Sequence, residues 1–80
     1  MGVKRAVVQR FSHLCKTRNI KYNELAVLSG VTPSTVYSMM SNTRHDVSIV
    51  TIKKLCDGLN ITLGEFFSDE VFDTLYQEIR

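Results

Sequence analysis

Cysteine and histidine are both scarce in this 80-residue sequence, and neither is placed for chemistry. Cys15 and Cys56 form no CxxC pair and have no histidine at ligand spacing, which argues against a metal site or a disulfide framework. Each sits among apolar residues of a predicted helix, where a thiol serves as a small buried hydrophobe. A reducing, cytoplasmic location suits that use. His13 and His45 have no obvious carboxylate or nucleophile partner, and no glycine-rich phosphate loop exists. Catalytic residues, metal and cofactor are therefore all assigned as none, and enzyme activity is not expected. No apolar run approaches the roughly 18 residues of a membrane span, and no N-terminal signal pattern is visible. Repeats and low-complexity segments are missing too.

What is present fits one small domain. The formal net charge of +2 hides an asymmetry. Through Asn60, nine basic residues face three acidic ones, a surplus of six; from Ile61 onward Arg80 alone faces five acids, a deficit of four. A polyanion is attracted to the first part and repelled by the second.

The chain is organised around Tyr22–Asn42, YNELAVLSGVTPSTVYSMMSN. Leu25, Ala26 and Leu28 fall at helical spacing after Tyr22, and Glu24 lies early in the helix, beside the positive end of its dipole. Gly30 can take the positive φ that ends a helix. Thr32 then reads as an N-cap, Pro33 as the first helical residue, and Val36, Met39 and Met40 as the inward positions of a second helix. Ala26, one turn before Gly30, lets the two helices meet steeply, with Val36 facing it. Asn42 is expected to close the second helix in the left-handed conformation. Two helices joined in this way form a helix-turn-helix.

These residues resemble the Cro and phage-repressor-like helix-turn-helix proteins, also called the XRE family. Leu25, Ala26, Gly30, Val31, Ser34, Thr35, Val36 and Met39 carry the resemblance, followed by a second block, Ser48 to Phe67, whose run LNITLGEFF is similar to the family's closing segment. The resemblance implies an all-α, compact five-helix lambda-repressor-like DNA-binding domain. In that family an ion pair often joins helix 1 to the end of helix 3; here Cys15 and Met40 stand at those places, so an apolar contact is expected instead.

The rest of the chain supplies the scaffold. Val3–Arg18 reads as helix 1, with Val7, Val8, Phe11, Leu14 and Cys15 on its apolar side. Asn19 ends it, and Ile20 tucks under the next helix. A polar connection spans Ser41–Val47. Ser48 caps helix 4, Ile49–Leu59, whose core stripe is Ile49, Ile52, Leu55, Cys56 and Leu59. Gly58 within it suggests either close approach of a neighbouring helix or an early end. Thr62 and Glu65 form a capping box that opens a short helix 5 with Phe66 and Phe67. Residues 1–67 thus make the DNA-binding domain, and 68–80 read as an extra amphipathic C-terminal helix. Its stripe of Val71, Phe72, Leu75, Tyr76 and Ile79 either packs back on helices 1 and 5 or serves as a dimer contact.

A helix-turn-helix presents the N-terminal part of its second helix to the major groove. The base-reading residues are then Pro33, Ser34, Thr35, Tyr37 and Ser38, with Pro33 able to meet a thymine methyl and Asn42 able to reach a base edge or a phosphate. Phosphate binding falls to Lys21, Tyr22, Thr32, Ser41, Asn42, Thr43, Arg44 and His45; Lys21 and Tyr22 stand where relatives grip the backbone. The leading expectation is a sequence-specific transcriptional regulator of bacterial or phage type, a repressor acting as a homodimer on double-stranded DNA. It would sense no small molecule, and a protein partner could set its occupancy. The alternative is a protein-interaction module of the same fold, with the acidic final helix as the contact.

Overall fold

The computed structural model describes residues 1–43 and 46–79. Five α-helices follow one another: α1 (Val3–Thr17), α2 (Tyr22–Ser29), α3 (Pro33–Met40), α4 (Ile49–Gly58) and α5 (Leu63–Phe67). One 3-10 turn, Glu70–Phe72, comes after them, and no strand occurs among the described residues. The chain is all-α, with the helix-turn-helix in the expected place.

One local device makes three of the corners. At the end of α1, Asn19 has φ 56°, and the amides of Asn19 and Ile20 donate to the carbonyls of Lys16 (3.2 Å) and Cys15 (3.0 Å). At the end of α2, Gly30 has φ 68°, with Gly30 bonded to Val27 (3.3 Å) and Val31 to Ala26 (3.1 Å). At the end of α4, Asn60 has φ 58°, with Asn60 bonded to Asp57 (3.1 Å) and Ile61 to Cys56 (3.0 Å). In each case a residue tolerant of left-handed φ satisfies two orphan carbonyls. The β-branched residue that follows, Ile20, Val31 or Ile61, packs against the core and stands just before the next helix's N-cap.

The caps that open the helices are equally local. Thr32 Oγ1 accepts from the Thr35 amide (3.4 Å), Ser48 Oγ from Val50 (3.1 Å), and Thr62 Oγ1 from Glu65 (3.0 Å). Glu24 and Glu65 reach back to the amides of Lys21 (3.2 Å) and Thr62 (3.0 Å). Lys21, the N-cap of α2, makes no side-chain cap bond, since an ammonium has no lone pair to offer.

The core gathers Val7, Phe11, Leu14 and Cys15 of α1, Leu25 and Ala26 of α2, Val36 and Met39 of α3, Ile52, Leu55 and Cys56 of α4 with Leu59 just beyond it, and Phe66 of α5. Phe11 and Phe66 meet at 4.3 Å between ring centroids, and Phe67 and Phe72 extend that cluster. Gly58 sits where α4 crosses α2: a Cβ there would lie 3.0 Å from Leu28 C and from Ser29 Cα and would collide with Ser29 Oγ. The contact is therefore backbone against backbone, and the close approach is what the glycine permits.

Four sequence expectations give way here. The final segment is not a helix. After the 3-10 turn, residues 73–79 run back to the start of the chain, where the Tyr76 amide donates to the Met1 carbonyl (3.3 Å) and Glu78 Oε2 accepts from the Val3 amide (3.2 Å). A short amphipathic helix without a partner is marginal. The alternative gives the uncapped start of α1 an acceptor and places Phe72 in the aromatic cluster. Asn42 does not take left-handed φ; α3 stops at Met40, and Ser41 leaves in an extended conformation with its carbonyl bonded to Lys4 Nζ (2.9 Å). This polar tie joins α1 to the end of α3; Cys15 is in the core, and Met40 packs against the core cluster. Leu28 is 57% exposed, because the buried side of α2 runs through Leu25, Ala26 and Ser29 at i, i+1 and i+4. Ile49 is 56% exposed, since as the first residue of α4 it precedes the part of that helix that reaches the core at Ile52.

Candidate nucleic-acid interface

The helix α3 stands on two apolar feet, Val36 and Met39, both buried. Its remaining side chains divide by side. Pro33, Ser34 and Tyr37, at i, i+1 and i+4, are exposed. Thr35 and Ser38 are half-buried and, with Ser34 and Met39, line one wall of an open groove of about 370 Å³. Asp46, Val47, Ser48 and Thr51 form the other wall. Of the five expected base-reading residues, three therefore lie on the outer face and two turn toward α4. The residues across the groove were not expected as site residues, Ser48 being read only as a helix cap; the Asp-Val-Ser run just before α4 was the available signal, but its proximity to α3 depends on the path of the connection.

Tyr37 is 53% exposed and is held from one side. Its ring packs edge-to-face on that of Tyr22, 5.8 Å between centroids at 75°. Tyr22 is the first residue of α2 and itself packs against the core. The pair thus joins an expected phosphate residue to an expected base-reading one.

Beside it, Lys21 is exposed at the start of α2. The first intrahelical bond runs from the Leu25 amide to the Lys21 carbonyl (3.0 Å), so the amides of the preceding turn have no intrahelical acceptor. The Glu24 carboxylate already takes the Lys21 amide (3.2 Å), so an incoming anion would meet the ammonium group, the helix dipole and the remaining amides of that turn. Thr32 differs: its hydroxyl is occupied by the Thr35 amide and by Thr35 Oγ1 at 3.1 Å. Ser41 and Thr43 bond to each other, Oγ to Oγ1 at 2.8 Å, and Asn42 between them is exposed. Arg44 and His45 lie outside the described residues.

The basic surplus is partly spent indoors. Arg10 donates to the carbonyls of Phe66 (2.8 Å) and Glu65 (3.0 Å), lies 3.6 Å from Asp69, and covers the Phe66 ring at 5.9 Å. It holds the C-terminus of α5 against α1, where a cation meets the negative end of a helix dipole. Arg18 binds the Leu59 carbonyl at the end of α4, and Lys53 pairs with Asp57. Lys4, Arg10 and Arg18 thus each hold a backbone carbonyl, while Arg5, Lys16, Lys21 and Lys54 are exposed.

Of the dimer candidates, Val71, Phe72 and Leu75 are half-buried while Tyr76 and Ile79 are exposed, so the five do not form one stripe. Both thiols are buried. Burial pushes the Cys15 thiol up, partly countered by Arg18, and pushes Cys56 up to about 11, with Asp57 adding to the effect. Neither is a thiolate near neutral pH. Among the described residues no cluster of His, Cys, Asp or Glu is placed to hold a metal, and no helix is long and apolar enough to cross a membrane.

Comparison with known proteins agrees with this geometry. Residues 10–71 match the model of the Cro/C1-type HTH DNA-binding domain. Over 35 residues, 44% of this chain, the sequence is 49% identical to control protein C.MunI of a Mycoplasma species; the match spans 47% of that relative's length. The crystal structure of the prophage Lp1 protein 11 superposes with a TM-score of 0.80 at 28% identity, covering 94% of this chain and all of that one. With its fold, its matched residues and its exposed second helix all in agreement, the chain belongs to the Cro/C1-type helix-turn-helix DNA-binding family.

Proposed function

We propose that this protein is a sequence-specific regulator of transcription that reads the major groove of double-stranded DNA with α3. The observation that carries this reading is one continuous surface. The exposed Pro33, Ser34 and Tyr37 lie on α3, and the start of α2 with the exposed Lys21 adjoins them through the Tyr22–Tyr37 contact. Affinity comes from phosphates at Lys21 and the amides of the α2 start, together with Ser41, Asn42, Thr43, Arg44 and His45; selectivity comes from α3. With no Arg, Lys, Asn or Gln on α3, each wrong base pair costs nearer ~1 than ~3 kcal/mol.

Such weak discrimination per half-site favours a homodimer on a two-fold site with half-site centres about 34–36 Å apart. Occupancy that excludes polymerase would make it a repressor, and the printed name of the relative, a control protein, supports a regulatory role. The interaction-module alternative leaned on a helical apolar stripe over 68–80, which does not form.

The test is fluorescence anisotropy of a random-sequence duplex pool titrated with protein at several salt concentrations, native against Lys21→Glu. Binding that weakens steeply with salt, with a shallower slope in the variant, is expected. Absence of binding at low salt would sink the proposal.

A further inference from the structure

We infer that the target half-site is read through the C5-methyl group of a thymine, by an apolar strip that Tyr37 and Pro33 form, and that Tyr22 is the positioning residue for it; this rests on the proposed DNA-binding function. The residues of α3 are Pro-Ser-Thr-Val-Tyr-Ser-Met-Met, and Val36 and Met39 are buried. Bidentate reading of guanine needs Arg or Lys, and that of adenine Asn or Gln. None of these stands on α3. What the exposed face does offer is two apolar surfaces one helical turn apart, Pro33 and Tyr37. The one apolar feature that a base pair shows in the major groove of unmodified DNA is the thymine methyl.

A half-exposed tyrosine alone would swing between rotamers, and a mobile ring makes a poor wall. Tyr37 does not stand alone. The Tyr22 ring meets it at 75° and 5.8 Å, an arrangement in which the positive edge of one ring faces the negative face of the other. Tyr22 is in turn fixed by the core and by its place at the start of α2. The strip is thus preorganised by the element that precedes it, and base choice depends on a residue that need not touch a base. The hydroxyl side of α3, with Ser34, Thr35 and Ser38 facing Asp46, is separate from this strip.

The experiment begins with a duplex selected from a random pool by the native chain. Each thymidine of one half-site is replaced in turn by deoxyuridine, which removes only the methyl group, and each deoxycytidine by its 5-methyl analogue. Affinity is read by anisotropy. At one thymidine, deoxyuridine should weaken binding about fourfold, the equivalent of one buried methyl group. Tyr37→Ala should erase that difference while retaining the salt slope, and Tyr37→Phe should keep it. Tyr22→Phe should also keep it, whereas Tyr22→Ala, checked for folding by circular dichroism, should reduce it with the salt slope unchanged. Equal binding of deoxyuridine at every position would overturn the inference while leaving the DNA-binding function standing. A gain at 5-methylcytosine without a loss at any deoxyuridine would overturn the thymine assignment. A Tyr22→Ala chain that discriminates as the native one does would overturn the positioning role. No binding to any duplex would instead refute the function itself.

Discussion

Replacing Lys21 with threonine should stabilise the protein and weaken its hold on DNA. The N-caps of α3, α4 and α5 are Thr32, Ser48 and Thr62, and each accepts a backbone amide through its hydroxyl. Lys21 holds the same position in α2 without an acceptor. Its backbone, φ −92° and ψ 163°, nearly matches that of Thr62, φ −86° and ψ 163°, so a threonine fits without moving the chain. Glu24 already supplies the returning half of the capping box. The missing half should contribute about 1 kcal/mol. For a domain of this size that raises Tm by roughly 4–8 °C. The same change removes one cation per subunit from the proposed phosphate surface, so the slope of log affinity against log salt should become shallower by about 0.9 for each phosphate released. Thermal denaturation and a salt series of anisotropy titrations measure the two effects on one sample. A variant no more stable than the native chain would refute the capping argument. A stabilised variant with an unchanged salt slope would remove Lys21 from the interface.

Alanine in place of a helical glycine ordinarily stabilises, yet Gly58→Ala, at the last residue of α4, should destabilise by about 1–3 kcal/mol, because its Cβ meets the backbone of Leu28 and Ser29; urea denaturation gives the sign directly. Arg10→Ala should cost about 2 kcal/mol, by releasing the carbonyls of Glu65 and Phe66, and should quench protection of the α1 and α5 amides in hydrogen exchange. Cys15 and Cys56 should react with a thiol reagent at pH 8 only at the rate of unfolding, because both are buried and protonated there. Their raised thiol pKa values also fix a sign. The unfolded chain loses these protons first, so the contribution of Cys56 to stability is complete below about pH 8.5 and declines as pH rises toward about 11, and Cys15 acts in the same direction. Urea midpoints measured from pH 8 to 11 should fall.

Local signals made the first four-fifths of the chain legible. Asn19, Gly30 and the Thr62–Glu65 box each act over five or six residues, and each was readable because its chemistry is complete within that span. The α1 and α4 boundaries differ from expectation by one residue, where the last helical residue grades into the cap. Gly58 signalled a close approach, and the structure supplies the neighbour, Ser29.

Tertiary partners decided the rest. Leu28 carried the right spacing for a buried position, yet α4 meets α2 at Ser29. The pattern over 68–80 reads as helical in isolation, but the aromatic cluster and the bare start of α1 offered that segment more than a solitary helix could. Arg10 was counted with the charge facing a polyanion and is instead bonded to α5. On α3 the five expected readers were placed on one exposed helix, but sequence spacing could not say that Thr35 and Ser38 turn toward α4, nor that Tyr37 rests on Tyr22.

The most direct test of the account is the ratio of affinities for a selected duplex and a random one, measured by anisotropy for the native chain and for Ser34→Ala/Tyr37→Ala at the same salt. If α3 selects and the flanking surface binds, the ratio falls toward one in the double variant while affinity for random duplex and its salt slope stay as they were. An unchanged ratio would show that selection lies elsewhere on the protein and would contradict the central claim.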